Sequence, residues 1–196
     1  MDTNEFEYYK VRRENNDNYP LLRADENVDY EYEKNHIDNA EMMEYVIRRP
    51  IPKKPIFVDY HKSPRSVISR KIYEILKDLN LDYIQFIPAT ITVKNNETID
   101  DYWYLHIFNH LKVMDLEKSV YDWMETIKSA NPIEKLVLNE KLLSEIPLEK
   151  RLIFKLEENH TFEIFHKSVV DAIMATNPEG IVFTSLADWN TGKAFD

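Results

Sequence analysis

Two histidines four positions apart, His106 and His110, are the residues whose type and spacing come nearest to a metal site. On a helix, this spacing places both imidazoles on one face, as in the HExxH motif of zinc enzymes. The residues around them, 102–108, alternate in the manner of a strand, and no HExxH element completes a ligand set. The sequence therefore predicts no metal site at this pair.

Two adjacent carboxylates, Asp100 and Asp101, open the same predicted strand. Paired carboxylates act as general acid and base when burial separates their pKa values, but solvated side chains are expected at the polar start of a strand. No GxSxG element surrounds a serine, and the two glycines, Gly180 and Gly192, are too few for a phosphate loop or a dinucleotide fingerprint. We therefore predict a protein that is not an enzyme and needs no cofactor.

The net charge of the chain limits the kinds of partner that it can bind. Thirty-five acidic against twenty-five basic residues leave a net charge of −10, which disfavours nucleic acid and anionic membranes. A basic partner is the natural complement, and an acidity that only keeps the protein soluble is the competing interpretation. The chain has no cysteine, which excludes disulfides, thiol catalysis and cysteine zinc sites. No apolar run approaches the roughly 18–20 residues that span a bilayer, and no signal segment is recognisable, so a cytoplasmic location is expected.

An acidic and aromatic stretch near the amino terminus is the candidate binding segment. Five carboxylates accompany two tyrosines there, a composition suited to meeting a basic surface with aromatic anchors. A solvated loop is the competing interpretation. The residues predicted to contact a partner are Asp25, Glu26, Asp29, Tyr30, Glu31, Tyr32 and Glu33.

A proline-rich stretch suggests how the chain is divided. Pro50, Pro52 and Pro55 favour an extended connector, which predicts an acidic, aromatic arm or subdomain at residues 1–49 and an α+β domain at residues 50–196. Within the first part, residues 6–9 resemble a strand and residues 40–46 a short helix.

The middle of the chain combines a helix pattern with strand patterns. Apolar residues from Val67 to Leu79 form one stripe at helical spacing, which predicts a helix over residues 66–79 with Ile68, Ile72 and Ile75 facing a core. Residues 83–87, 90–93 and 102–108 predict antiparallel strands, the first two separated by Pro88. The expected fold class is α+β, an antiparallel sheet with a few packed helices.

Residues 151–189 change from strand to helix and back. The apolar runs around Phe154 and Phe165 flank a polar turn at residues 157–160, which predicts a hairpin. A short helix is expected from Ser168, and Pro178 ends it. Gly180 then stands at a sharp joint before the strand that begins at Ile181, so we predict a positive φ at this glycine.

Three stretches, residues 66–91, 100–121 and 151–186, together resemble one known family. The matching features are Ser66 with the Phe86-Ile87-Pro88 strand end, Tyr104-Leu105-His106 leading to Asn109 and Asp115, Leu152-Ile153-Phe154, and Gly180-Ile181-Val182-Phe183. They resemble the bacterial immunity proteins of polymorphic toxin systems, in the family named after a myxobacterial immunity protein and formerly a domain of unknown function. The resemblance covers about residues 59–185.

This resemblance implies a non-enzymatic, cytoplasmic protein that binds and neutralises a cognate toxin domain encoded by a neighbouring gene. It transfers no toxin-binding residue, because such surfaces differ with each toxin. Two other classes stay open, as does the oligomeric state. A small-molecule-binding or catalytic α+β domain would have a deep polar pocket with convergent titratable groups, and an acidic nucleic-acid mimic would array its carboxylates at phosphate-like spacing.

Overall fold

The computed structural model describes residues 5–24, 34–62, 65–93 and 97–194. These residues form strands, three α-helices and two short 3-10 helices, Leu148–Lys150 and Thr191–Ala194. The predicted α+β class is confirmed. The strands are β1 (Tyr8–Arg13), β2 (Leu22–Ala24), β3 (Met43–Ile47), β4 (Tyr60–Lys62), β5 (Ser66–Ser69), β6 (Ile84–Thr92), β7 (Thr98–Ile107), β8 (His110–Leu111), β9 (Val120–Met124), β10 (Ser129–Lys135), β11 (Ile153–Leu156), β12 (Glu163–His166) and β13 (Ile181–Ser185), and the helices are α1 (Arg70–Lys77), α2 (Glu140–Ser144) and α3 (Lys167–Met174).

The contacts within the chain define two compact units. Unit 1 comprises Met1–Val11, Asn109–Asp171 and Phe183–Asp196, and unit 2 comprises Arg12–Phe108 and Ala172–Val182. Each unit is therefore assembled from segments that are distant in the sequence. The predicted boundary after residue 49 stays a prediction.

Unit 2 contains a six-stranded sheet in the order β2-β3-β6-β7-β5-β4. Its longest pairing is antiparallel, between β6 and β7, and runs from Ile84 opposite Ile107 to Thr92 opposite Thr98. One face buries an apolar core that includes several tyrosines: Leu22, Met43, Tyr45, Val67, Ile87, Ala89, Ile91, Tyr102 and Tyr104. Tyr102 and Tyr104 of the predicted strand 102–108 thus serve core packing.

Two local predictions in this sheet are wrong. Residues 40–46 do not form a helix, because Met43 and Tyr45 are buried and Glu44 is exposed, a period of two that fits β3 beside the parallel strand β6. Residues 90–93 are not a separate strand, because β6 continues through Pro88. Pairing with β3 begins at Ala89, so the missing amide of Pro88 leaves no gap in that ladder.

The predicted helix over residues 66–79 is correct only over Arg70–Lys77. Ser66–Ser69 forms β5 instead, with Val67 opposite Tyr104 and Ile68 opposite Trp103. β-branched residues suit such a position between two strands, so the sheet overrides the helical spacing. Of the three residues predicted to face a core, Ile68 and Ile72 are buried and Ile75 is half-buried, and Leu76 of the same stripe is buried as well.

Unit 1 is built around the predicted hairpin, which is confirmed. Strands β11 and β12 pair antiparallel, with Phe154 opposite Ile164, in a five-stranded sheet of order β13-β1-β12-β11-β8. Strands β9 and β10 form a separate two-stranded sheet. The core of the unit gathers Tyr8, Ala130, Ile133, Leu143, Phe154, Leu156, Phe162, Ile164 and Trp189.

The joint at Gly180 is also as predicted. Helix α3 ends at Met174, and Gly180 adopts a φ of +80° before β13 begins. Neighbouring backbone groups are tied to Asp59, whose amide donates to the Glu179 carbonyl at 3.0 Å and whose carboxylate accepts from the Glu179 amide at 2.9 Å. The left-handed conformation of Gly180 is thus held by the two hydrogen bonds that the preceding residue, Glu179, makes with Asp59.

His61 is a buried neutral base in unit 2. His61 Nδ1 lies 3.3 Å from the Pro20 carbonyl oxygen. The Val58 amide donates a hydrogen bond to His61 Nε2, also at 3.3 Å. These contacts require a proton on Nδ1 and none on Nε2. Burial, helped by the charge of Arg13, lowers the pKa of His61 to about 4.

This histidine predicts a loss of stability in acid. Since its pKa is lower in the folded than in the unfolded state, its contribution is complete above pH 6.5 and is lost as the pH falls towards 4. The lost free energy of unfolding is about 3 kcal/mol. Urea denaturation from pH 7.5 to pH 4 measures it, with His61→Gln flattening the curve and exposed His36→Gln leaving it unchanged. Equal pH slopes for the native protein and His61→Gln would contradict the assignment.

Candidate functional site

The residues first considered for chemistry lie in separate environments. His106 belongs to unit 2, is fully buried, and its Nε2 lies 2.9 Å from the Asn35 carbonyl, whereas His110 belongs to unit 1. Asp101 binds Arg70, with 2.5 Å between Oδ1 and Nη2, and this hydrogen bond lowers the pKa of Asp101. Asp100 instead accepts a hydrogen bond from the Thr90 hydroxyl at 2.7 Å. The two aspartates have different partners and do not form an acid–base pair.

The seven residues predicted to contact a partner all lie outside the described residues. They are Asp25, Glu26, Asp29, Tyr30, Glu31, Tyr32 and Glu33. Their assignment stays a prediction from composition.

Three exposed apolar side chains lie at one end of the hairpin formed by β9 and β10 in unit 1. They belong to Trp123, Met124 and Ile127, whose exposed fractions are 45%, 41% and 58%. They stand at or beside the turn that joins β9 to β10, where the Ile127 amide donates to the Met124 carbonyl at 3.3 Å. We call these three residues the hairpin tip. Large apolar side chains grouped in this way are typical of protein-binding surfaces.

The strands below the tip hold it on a buried base. Tyr121 and Ile133 stand opposite each other and pack against the core of unit 1, and Ala130 is fully buried. The Ala130 amide donates to the Glu158 carbonyl at 2.8 Å, and its carbonyl accepts from the Asn159 side chain at 2.7 Å. The tip is therefore presented by a fixed scaffold, which lowers the entropic cost of binding.

Exposed charged residues are interspersed along the chain with the apolar residues of the tip. Asp122 and Glu125 are exposed on one side of the turn, and Lys128 follows it. An apolar centre with a charged rim is the usual arrangement of a protein interface. Two carboxylates against one ammonium give this rim the same negative sign as the whole chain.

A cleft of about 830 Å³ in unit 1 bears on the small-molecule alternative. Its lining includes Glu5, Phe6, Tyr8, Leu138, Glu140 and Leu186. Burial raises the pKa of the Tyr8 hydroxyl, opposed by its hydrogen bond from Arg151. Arg151 donates to the Ile146 and Glu5 carbonyls, the Tyr8 hydroxyl and the Glu5 carboxylate, so its donors are used within unit 1.

The sequence interpretation missed the hairpin tip. The stretch from Val113 to Ile127 shows neither helical nor strand spacing over its length, so no element was assigned there. The available signal was the presence of Trp123, Met124 and Ile127 in a segment rich in charges, where apolar side chains have no periodic face to occupy. Such residues without a core role are candidates for binding.

Comparison with known proteins identifies the class of this chain. A family model described as "Immunity protein family (Imm11)" matches residues 8–188, and the chain belongs to this family. The resemblance found in the three sequence stretches is thereby confirmed. No curated protein matches the chain.

Membership in this family supports an immunity function and indicates a non-enzymatic role. Over the residues that the structure describes, no helix has the length and apolar character of a membrane span. The hairpin tip and the acidic stretch are thus to be considered as surfaces of an immunity protein.

Proposed function

We propose that this protein binds a cognate toxin domain, encoded by a neighbouring gene, and neutralises it in the cytoplasm as a stoichiometric complex. The family supports the immunity function, and the exposed hairpin tip is the observation that carries the mode of action. Inhibition follows from occupancy of the toxin surface and requires no turnover of a substrate.

The tip supplies the short-range part of the interaction. Trp123 is about half exposed, and tryptophan at the centre of an interface commonly contributes 2 kcal/mol or more to binding. Met124 and Ile127 flank it, and a methionine adapts its shape to an irregular partner surface. The fitting partner is a toxin surface with an apolar pocket and a basic surround.

The acidic stretch supplies the long-range part. The net charge of −10 attracts a basic toxin, and charges near an interface mainly accelerate the encounter. We assign this role to Asp25, Glu26, Asp29, Glu31 and Glu33, with Tyr30 and Tyr32 as further contacts after docking. The acidic stretch therefore controls the association rate constant, and the hairpin tip controls the dissociation rate constant.

Replacement of the tip should weaken toxin binding about 100-fold or more. The change is Trp123→Ala with Met124→Ala and Ile127→Ala, and faster dissociation is expected because apolar contacts are lost after docking. Leu142→Ala with Leu148→Ala is the matched control, since both leucines are also partly exposed in unit 1. Co-expression with the adjacent toxin, co-purification and binding kinetics measure the effect.

Reversal of the five carboxylates in the same assay separates the two roles. It should slow association and reduce its salt dependence while leaving dissociation unchanged. Normal affinity of the tip variant would contradict the tip as the interface, and normal association after charge reversal would contradict electrostatic steering. A native protein that neither binds nor protects would contradict immunity against that toxin.

A further inference from the structure

A group of three potential metal ligands lies in unit 1. His110, Glu157 and His160 each offer one ligand atom, and these atoms lie within 4.8 Å of one another. The Glu157 Oε2 atom is 3.6 Å from His110 Nδ1 and 3.6 Å from His160 Nε2. Two imidazoles and one carboxylate thus lie close enough together to share one ion.

The sheet brings two of these residues together across nearly fifty positions of sequence. Strand β8 runs parallel to β11, with His110 opposite Lys155. Two residues further along, the Glu157 amide donates to the Leu111 carbonyl at 2.9 Å. The main chain therefore sets the separation of His110 from Glu157, independently of their side chains.

The turn that carries Glu157 and His160 is held by its own hydrogen bonds. The Asn159 side-chain oxygen accepts from the Thr161 amide at 3.0 Å and from the Thr161 hydroxyl at 2.7 Å. Its side-chain nitrogen donates to the Ala130 carbonyl at 2.7 Å. A turn bonded in this way keeps the second imidazole near the first without help from a metal, so little order is lost on binding.

The distances fit metal coordination better than hydrogen bonding. At 3.6 Å from Glu157 Oε2, each imidazole nitrogen lies beyond the usual length of a hydrogen bond, and these contacts are ion-pair distances. Around a tetrahedral zinc ion, with bonds of about 2.0–2.1 Å, neighbouring ligand atoms lie about 3.3 Å apart. The two nitrogen–oxygen separations of 3.6 Å come within a few tenths of an ångström of this spacing. His110 is largely buried, whereas Glu157 and His160 are partly exposed, which leaves a path for an ion.

We propose that His110, Glu157 and His160 bind one divalent transition-metal ion of the zinc class, with a fourth position open to water. Imidazole and carboxylate ligands favour Zn²⁺, Co²⁺ and Ni²⁺ over the purely oxygen-bound Mg²⁺ and Ca²⁺. The ion links β8 to the turn between β11 and β12. This site is independent of the proposed toxin contact, and its test needs no toxin.

Titration of the purified native protein with Zn²⁺ alone at pH 7.5 should show saturable binding of one ion per chain. Co²⁺ should give the visible absorption of a tetrahedral site. At free Zn²⁺ one hundred times the Kd, the equilibrium constant for unfolding should fall about 100-fold. Glu157→Gln and His160→Ala, at partly exposed positions where folding is retained, should each weaken binding at least about 100-fold, since even residues that only support ligands lose 10–100-fold.

His36→Ala is the matched control. His36 also stands beside a carboxylate, with 3.3 Å between its Nδ1 and Asp38 Oδ1, but it belongs to a pair with a single imidazole. This variant should bind Zn²⁺ as the native protein does. The proposal is overturned by a native protein that binds no Zn²⁺ under these conditions, or by a folded Glu157→Gln/His160→Ala variant that binds it with native affinity.

Discussion

Replacing Gly180 by valine is expected to lower the free energy of unfolding by about 2–6 kcal/mol, the sum of backbone strain and overpacking. Gly180 has a φ of +80°, which β-branched residues adopt at high cost. A Cβ atom there would lie 2.6 Å from Val58 Cβ, closer still to Val58 Cγ2, and 3.2 Å from the Tyr60 carbonyl oxygen. Neither the backbone conformation of Gly180 nor the space around it tolerates a side chain.

The other glycine of the chain supplies the control. At Gly192 a Cβ would meet only the Asn190 side-chain oxygen, at 3.2 Å, and its φ is not in the left-handed region. Gly192→Ala should therefore change stability by less than about 1 kcal/mol. Urea denaturation of both variants measures the difference, and a native midpoint for Gly180→Val would refute the argument.

Replacing Arg151 by methionine is expected to cost about 3–5 kcal/mol of stability. The guanidinium is 2% exposed and donates to the Ile146 carbonyl, the Glu5 carbonyl and the Tyr8 hydroxyl at 2.9, 2.9 and 2.6 Å. Methionine fills a similar volume but leaves these acceptors without their donor. Lysine at this position should not restore stability, because a single ammonium cannot reach three directions at once.

Two further variants separate hydrogen bonding from charge. Glu5 also bonds the guanidinium, at 2.9 Å, but its side chain is 48% exposed and water can replace the contact. Glu5→Gln should therefore cost less than about 1 kcal/mol. Arg49→Met, at an exposed arginine, is the control for loss of charge alone. Thermal and urea unfolding measure all four variants, and equal effects of Arg151→Met and Arg49→Met would contradict the assigned role.

Several features were predictable because neighbours in sequence decide them. The hairpin of β11 and β12 follows from two apolar runs around one polar turn. Gly180 follows from a helix end, Pro178 and a strand within a few residues, where only glycine turns the chain without strain. The family resemblance rests on the same local patterns, and it was confirmed over residues 8–188.

Element identity was mispredicted where a strand from elsewhere intervenes. Residues 66–69 have helical spacing, but β4 and β7 lie on both sides of them and offer hydrogen bonds that a helix end cannot match. The segment before Ile47 became β3 because β6 provides a parallel partner forty-six positions later, from Met43 to Ala89. The spacing of apolar residues is a property of one segment, whereas the free energy of strand pairing depends on two segments.

The candidate sites depended still more on tertiary structure. The sequence paired His110 with His106 by spacing, but the fold places His110 with Glu157 and His160, because β8 joins the sheet beside β11. The hairpin tip became visible only when burial of Tyr121 and Ile133 showed which residues the core leaves outside. Composition determined the charge and the lack of thiols, since these are sums over residues. Which side chains meet was decided by strand order and register, which no single segment contains.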